Sequence, residues 1–287
     1  MAEQSSSSGR YAWLDIVRAT AVLLVVWDHF VGEATRLLNV TFPPQEFARD
    51  KIFGPLAITQ SGGFLGVSLF FLISGYIITG VGKKESAKTF VIRRALRIYP
   101  PLITATLSAL AIRSLVLHEP LQVTIADVLR NFLLLNYLHI PQVVLVGVAW
   151  SLLIEVTFYL LVLFALPLLR EPHRAWILPF VLVALSVLFI TINGRFGPAF
   201  QAFAVSFLYI PMLSVGSTFA LLEKGALSVR TFFVHAVLAW GTFLYGTKSI
   251  YPQFLKPADS YPLSALMAVG IFALAGRCVP QSRKCGS

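Results

Sequence analysis

Long apolar stretches separated by short polar connections recur along the whole chain. A transmembrane α-helix needs roughly 17 to 25 mostly apolar residues to cross about 30 Å of hydrocarbon. Stretches of this kind cover residues 13–31, 62–80, 98–117, 143–169, 175–193, 199–222, 231–247 and 262–277. The pattern predicts an all-α fold, a polytopic integral membrane bundle of about eight transmembrane helices.

The connection between the third and fourth stretches, residues 118–142, is long enough to contain a helix of its own. Its apolar positions have helical spacing, but Asp127, Arg130 and Asn131 interrupt them. This pattern favours an interfacial or re-entrant helix over a full crossing. A full crossing here would invert the orientation of every later helix.

No long polar linker divides the apolar stretches, so we predict a single membrane domain over residues 11–277. Residues 1–10 are expected to form a flexible cytoplasmic N-terminus, and residues 278–287 a cytoplasmic tail. The first stretch is too long and carries too many charges for a cleaved signal peptide. We therefore expect it to be retained as the first span.

The composition agrees with a membrane protein. Hydrophobic residues make up 57% of the chain and charged residues 13%, and the mean hydropathy is +0.78. The charged fraction is about half of that in average soluble domains. A net charge of +10 is also found in nucleic-acid-binding proteins, but here Lys and Arg lie in short connections between apolar stretches. The positive-inside rule accounts for that distribution, so no nucleic-acid partner is expected.

The distribution of Lys and Arg also predicts the orientation. With the N-terminus in the cytoplasm, fourteen of the 23 Lys and Arg residues fall on the cytoplasmic side and seven outside, with Arg18 and Arg113 inside spans. The densest cytoplasmic cluster lies between the second and third spans. Because Lys and Arg accumulate in cytoplasmic connections, we predict a multi-pass protein with a cytoplasmic N-terminus.

The first apolar stretch carries four ionisable residues, Asp15, Arg18, Asp28 and His29. Ionisable groups inside a span are costly and mark candidate functional residues. Arg18 and His29 are eleven positions apart, which is three turns plus about 20°, so both are predicted to project from one helix face about 16 Å apart along the axis. Asp28 lies about 100° from His29 around the helix. It is therefore poorly placed to orient the same ring, and we interpret it as an interfacial residue.

Three further motifs follow in the chain: GGFLGVSLFFLISGYIIT over residues 62–79, FVIRRALRIYP over residues 90–100, and AWSLLIEVTFYLL over residues 149–161. Taken in order after the first stretch, they resemble the membrane-bound acyltransferase family 3, whose members O-acylate surface polysaccharides and other extracytoplasmic glycans. The resemblance covers residues 11–165 well and the remainder only as generic spans.

Individual residues in these stretches match motifs of the family. Arg18 and His29 resemble the family's Arg-x10-His signature. Arg94 and Arg97 resemble its Arg-x-x-Arg motif, and the Trp-Ser-Leu-Leu-Ile-Glu sequence ending at Glu155 resembles its Trp-Ser-Leu-x-x-Glu motif. A match of any one of the four stretches is weak evidence in a hydrophobic chain, but four matching stretches in order at similar intervals are strong evidence.

The resemblance implies an inner-membrane O-acyltransferase with acyl-CoA, expected to be acetyl-CoA, as its donor. Arg18, Arg94 and Arg97 would bind the phosphates of the donor, as guanidinium groups do bidentately. The acceptor would be a hydroxyl of an extracytoplasmic glycan or a lipid-linked sugar. Membrane lipid is the other expected partner.

Two residues are candidates for catalysis. Acyl transfer to a hydroxyl needs a base for the hydroxyl proton, and imidazole is the side chain best matched to that task at neutral pH. His29, near the outer end of the first span, is the predicted base. Glu155 is predicted at a similar depth in the fourth span, where it would orient or charge the imidazolium or bind sugar hydroxyls. A structural hydrogen bond between helices is the alternative for Glu155.

The arginine motif has a second interpretation. Arg94 and Arg97 share a helix face whereas Arg93 points elsewhere, yet the whole basic cluster is also typical of a topology signal in contact with anionic lipid.

A different hypothesis is a transporter in which Arg18, His29 and Glu155 relay protons or bind a solute, although no internal repeat supports it. Family members typically have about ten spans, and this sequence ends after the eighth. A shortened, non-catalytic relative is therefore a third hypothesis.

The remaining glycines, cysteines and histidines are expected to have structural roles. Gly62, Gly63 and Gly66 are expected to let helices approach closely. The two cysteines, Cys278 and Cys285, lie close together and predict neither a disulfide framework nor a metal site. No metal is expected. The other histidines are interpreted as structural: His118, His139, His173 and His235.

Overall fold

The structure is a computed structural model that describes residues 12–82, 85–118, 120, 122–255 and 260–278. Its α-helices of eight or more residues are α1 (Ala12–Trp27), α2 (Gly63–Gly82), α3 (Ala87–Ala111), α4 (Ile125–Phe132), α5 (Trp150–Phe164), α6 (Ile177–Ile192), α7 (Pro198–Ser206), α8 (Ile210–Glu223), α9 (Val229–Ile250) and α10 (Tyr261–Cys278). The described part of the chain contains no β-strand. The predicted N-terminal segment, Lys83, Lys84 and the tail from residue 279 lie outside the described residues.

Several helical segments are long and apolar enough to cross a bilayer. Four meet both criteria among the described residues: Gln60–Gly82, Ala87–Val116, Gly147–Phe164 and Pro198–Glu223. Helix α6 and residues Tyr261–Arg277 of α10 are shorter apolar helices. Each of the eight predicted spans coincides with one or two helices. The prediction of an all-α, polytopic membrane bundle is confirmed.

The boundaries of several predicted spans are different in the structure. Helix α3 begins at Ala87, eleven residues before the predicted third span, so its basic stretch belongs to the same helix. The fourth span begins only at residue 147 and ends at Phe164, before a separate short helix, Leu166–Arg170. The sixth span is divided into α7 and α8. The helix Leu166–Arg170 and α8 both have a proline in the first turn. The missing N–H of a proline costs no helical hydrogen bond there.

The connection over residues 118–142 contains the short helix α4, which does not cross. Eight residues make a helix about 12 Å long, far less than the hydrocarbon thickness. Thr124 and Asp127 form a capping box at its start, in which the Thr124 hydroxyl accepts from the Asp127 N–H at 3.1 Å. In return the Thr124 hydroxyl and N–H donate to the Asp127 carboxylate at 2.7 and 3.0 Å, which lowers the pKa of Asp127. Burial raises the pKa of Tyr137, which follows α4, to about 12.

The chain divides into two units, the first of which comprises Met1–Gly75 and Phe243–Ser287. In this unit the ring of Trp13 on α1 meets that of Phe272 on α10 edge-on, with 5.1 Å between centroids. A Cβ added to Gly66 of α2 would lie only 2.7 Å from the Ala21 carbonyl oxygen of α1. The backbones of α1 and α2 therefore approach closely at Gly66, which agrees with the packing role predicted for the glycines.

The second unit comprises Tyr76–Thr242. Leu102 of α3, Leu153 of α5 and Tyr137 belong to one buried apolar cluster. Elsewhere in the unit, the fully buried ring of His235 on α9 has its Nε2 3.2 Å from the Ser214 hydroxyl of α8 and 3.3 Å from a carbonyl of α6. His235 therefore links three helices of one unit, in agreement with a structural role.

Candidate functional site

Arg18 and His29 both lie in the first unit. Arg18 on α1 forms an ion pair with Asp15, one turn earlier, at 3.0 Å, and 38% of its side chain is exposed. The guanidinium group is therefore accessible, since the pair covers only part of it. His29 is exposed, so its imidazole is free of the packing that encloses a core histidine.

The helix that carries Arg18 and His29 changes its winding between them. The sequence predicts a continuous α-helix to Val31, but α1 ends at Trp27 and residues Asp28–Glu33 form a π-helix. A π-helix has i→i+5 hydrogen bonds and occurs frequently at functional sites. His29 is the second residue of this wider turn.

A cluster of charged residues surrounds the start of α3 in the second unit. Ser86 caps the helix, since its hydroxyl accepts from the Thr89 N–H at 3.2 Å. The preceding Glu85 is buried, and its carboxylate accepts a hydrogen bond from Arg93 and lies 3.6 Å from Arg94. Arg170 donates to the Glu85 carbonyl oxygen at 3.2 Å. Glu85 thus holds two arginines of α3 and one from the segment after α5.

The two arginines on Glu85 have very different environments. The Arg94 side chain is 12% exposed, whereas that of Arg93 is 65% exposed. The guanidinium carbon of Arg94 lies 5.3 Å from the ring centroid of Phe90 and 6.0 Å from that of Tyr159. Aromatic faces attract a guanidinium group within about 6 Å. Arg94 is thus held by one carboxylate and two rings.

Glu155 on α5 lies beside the same cluster. It is 3% exposed, and Tyr159, one turn later on α5, interacts electrostatically with Glu155, Arg94 and Arg97. The structure therefore brings together three predicted site residues, Arg94, Arg97 and Glu155, around one buried tyrosine.

This placement corrects one expectation about the site. The sequence suggested that Glu155 and the two arginines lie toward opposite membrane surfaces. All three instead interact with Tyr159, because α3 begins eleven residues earlier than predicted and so carries Arg94 and Arg97 seven and ten residues into the helix. Arg94 and Arg97 therefore lie inside a long helix rather than at its entry.

Two residues of the cluster were not predicted from the sequence as functional. Glu85 is an acidic residue within a basic connection, which is a usable signal for an internal ion pair. Tyr159 shares a helix face with Glu155 at i+4, but a tyrosine in an apolar helix is more often a packing residue. Its buried hydroxyl among charged side chains gives it a place in the site.

Arg18 and His29 lie in the first unit, and Arg94, Arg97 and Glu155 lie in the second.

Two of the other histidines that were interpreted as structural have local contacts. His139 Nδ1 lies 3.2 Å from the Pro141 carbonyl oxygen, and His173 is an exposed partner of Glu171.

Comparisons with known proteins agree with the motifs. Residues 11–285 match the acyltransferase family 3, described as an acyltransferase domain. Nodulation protein 10 of Rhizobium leguminosarum bv. viciae is 31% identical over 188 residues, which are 57% of this chain and 47% of that protein, so the match spans about half of the relative. No solved structure matches. Since the family match covers nearly the whole chain, this protein belongs to the acyltransferase family 3.

Proposed function

We propose that the protein is an inner-membrane O-acyltransferase with a cytoplasmic N-terminus. It moves an acyl group, expected to be acetyl, from cytoplasmic acyl-CoA to a hydroxyl of an extracytoplasmic glycan or lipid-linked sugar. Membership of the acyltransferase family 3 supports acyl transfer as the reaction class, and the apolar helices support a membrane location.

The observation that carries the donor assignment is the guanidinium cluster of α3. Arg93, Arg94 and Arg97 lie within five residues of one helix, and the carboxylates beside them are Glu85 and Glu155. The cluster therefore keeps an excess of positive charge. Guanidinium groups bind phosphate through paired, charge-assisted hydrogen bonds, and acyl-CoA carries several phosphate groups. In this proposal Arg94 and Arg97 bind them, and Arg18 stays a donor-binding residue predicted from its motif.

The proposed base is His29. Its imidazole takes the proton of the acceptor hydroxyl as the hydroxyl oxygen attacks the thioester carbonyl carbon. The new carbon–oxygen bond forms, the carbon–sulfur bond breaks, and the proton passes to the departing CoA thiolate. Exposure of the ring fits a residue that must contact an acceptor. Because Glu155 lies beside Tyr159 and the arginine pair, we assign it to the donor side of the reaction.

The test is acyl transfer by the purified protein in lipid vesicles. Radiolabelled acetyl-CoA is added with a cell-envelope extract, which is then fractionated into glycan, lipid and protein. We expect label in the glycan or lipid fraction with the wild type, and none above background with His29→Ala or Arg18→Ala. The control is His173→Ala, whose ring is 73% exposed beside Glu171 and which should retain activity. Full labelling by folded His29→Ala would refute the assignment of the base.

A further inference from the structure

Asp28 occupies an unusual place at the junction between α1 and the π-helical segment. A Cβ added to Gly63, the first residue of α2, would lie 2.3 Å from Asp28 Oδ2 and 2.7 Å from its Cγ. A Cβ added to Gly32 would lie 3.1 Å from Asp28 Oδ1. The carboxylate therefore fills the space that two glycines leave open by lacking side chains.

Helical spacing explains why Asp28 points inward. Val17 and Ala21 are buried on α1. Asp28 follows them by eleven and seven residues, which places it within about 20° of each around the helix axis. Asp28 thus continues the buried row of α1, and His29, about 100° further round, lies outside it. Asp28 therefore has a packing role in addition to the interfacial position predicted for it, because its side chain is built into the contact with α2.

The segment that meets Asp28 is a tight, strained turn. Gln60, Ser61 and Gly62 have φ of +53°, +47° and +95° directly before α2. Non-glycine residues adopt such a conformation only where the surroundings enforce it. Here Gln60 Nε2 donates to the Tyr261 hydroxyl at 3.1 Å, and the Thr59 N–H donates to the Ser264 hydroxyl at 3.0 Å, both at the start of α10.

This turn fixes the first residues of α2 against Asp28. The first turn of a helix presents N–H groups without helical partners and a partial positive charge, and both favour a nearby carboxylate. The Asp28 carboxylate lies directly on Gly63, the first residue of that turn. The contact therefore joins the end of α1 to a rigid, hydrogen-bonded corner of the first unit.

We propose that Asp28 is a positioning residue for His29, an inference that rests on the proposed function of His29 as the base. Asp28 anchors the beginning of the π-helical segment on Gly63 and Gly32, and so fixes the backbone from which the next residue, His29, projects. The described residues place no hydrogen bond or ion pair on the His29 ring. The backbone therefore sets the direction of the Cα–Cβ bond from which the imidazole extends, and Asp28 holds that backbone in place.

The first test compares Asp28→Ala with Asp28→Asn in vesicles, with radiolabelled acetyl-CoA and the acceptor fraction that the wild type labels. We expect Asp28→Ala to lower kcat by at least about tenfold with little change in KM for acetyl-CoA, because misplacement of a catalytic group by about 1 Å can cost as much as a hundredfold. Asp28→Asn should retain more activity, since its amide oxygen keeps the shape and still accepts from helix N–H groups.

Two results would overturn the inference. One is a kcat of Asp28→Ala within about twofold of the wild type, and the other is an equal loss of kcat in Asp28→Ala and Asp28→Asn. Either result would leave the proposed base intact if His29→Ala alone is inactive. A fully active His29→Ala protein would instead refute the proposed base itself. That result needs no Asp28 variant, so the two failures can be distinguished.

A second test does not depend on activity. Gly63→Ala places a methyl group where the Asp28 carboxylate lies, so it should lower the apparent Tm. Asp28→Ala removes that carboxylate, and the double variant should have a Tm no lower than that of Asp28→Ala alone. Gly270→Ala is the matched control, since nothing lies within 4 Å of a Cβ added there. Additive losses of Tm from Gly63→Ala and Asp28→Ala would show that the anchor is not at this contact.

Discussion

Neighbouring arginines of one motif have different tasks in this structure. Arg93 is largely exposed, Arg94 is enclosed by Glu85 and two aromatic rings, and Arg97 is half-buried near the Tyr159 hydroxyl. A charge that already has a buried partner contributes to stability, whereas one with remaining hydrogen-bonding capacity can bind a phosphate. Arg94 therefore contributes to stability in addition to its proposed part in donor binding, and we expect Arg94 and Arg97 to respond differently to substitution.

Arg94→Ala should reduce stability. It leaves Glu85 buried with one arginine fewer, and breaking a buried ion pair costs roughly 3 to 5 kcal/mol. We expect the low end, about 3 kcal/mol, because Arg93 still reaches Glu85. The measurement is the apparent Tm in detergent. Arg93→Ala removes the exposed arginine from the same carboxylate and is the control, with a loss of about 1 kcal/mol or less. Equal shifts in Tm for the two variants would contradict this account of the pair.

Arg97→Ala should weaken donor binding with a smaller loss of stability than Arg94→Ala. A charge-assisted hydrogen bond contributes about 1.5 to 3 kcal/mol, so the Kd for acetyl-CoA should rise roughly 10- to 150-fold. Equilibrium binding of radiolabelled acetyl-CoA measures this. Arg113→Ala, an exposed arginine beyond the C-terminal end of α3, should leave the Kd unchanged. If both variants bind equally well, the arginine cluster is a topology signal and not a donor site.

The sequence predicted part of this cluster and missed the rest for a physical reason. Arg94 and Arg97 share a helix face, so their spacing alone suggested a common role. Glu85 lies before the Ser86 cap, outside the helix, so no helical period connects it with Arg93 or Arg94. Periodicity relates residues within one element, and the partners of Glu85 are reached only once the chain turns.

Whole helices show the same difference between what a local pattern predicts and what depends on contacts with other elements. Apolar length predicted a helix at each of the eight positions, because burial in hydrocarbon depends on composition. It did not predict the π-helical segment Asp28–Glu33 or the division between α7 and α8. A π-turn depends on which neighbouring helix the chain must meet, and α1 meets the start of α2 through Asp28. That contact is invisible in the local pattern.

Close approach of α1 and α2 gives a prediction for the helix pair. Gly66→Ala should destabilise the protein by about 1 to 3 kcal/mol, the usual cost of an added methyl in a packed interior, because the new Cβ would lie 2.7 Å from the Ala21 carbonyl oxygen. Backbone cannot move aside as a flexible side chain can. The apparent Tm is again the measurement.

The control for this helix pair is Gly241→Ala on α9. No atom lies within 4 Å of a Cβ added there, and alanine is favoured over glycine in a helix by about 0.5 to 1 kcal/mol. Its Tm should therefore stay the same or rise. A Gly66→Ala protein as stable as the Gly241→Ala protein would mean that α1 and α2 are further apart than described here.

At the scale of the whole molecule, the proposed reaction depends on which ends of the helices face the cytoplasm. Acyl-CoA is a cytoplasmic metabolite, and the proposed acceptor is extracytoplasmic. The arginine cluster of α3 must therefore be reached from the inside, and α4, beyond the other end of α3, must lie outside. The distribution of Lys and Arg predicts this orientation, and the apolar segment Ala87–Val116 is long enough to cross.

Single cysteines at the two ends of this segment test the orientation in a background where Cys278 and Cys285 are replaced by serine. Lys88 and Gln122 are both exposed, so a cysteine at either position is open to an impermeant maleimide. We expect Gln122→Cys to be labelled in intact cells and Lys88→Cys only after the membrane is permeabilised. Labelling of both from one side would show that the segment does not cross, and the reverse pattern would place the arginines outside. In either case cytoplasmic acyl-CoA could not reach Arg94 and Arg97, and the donor assignment would fail.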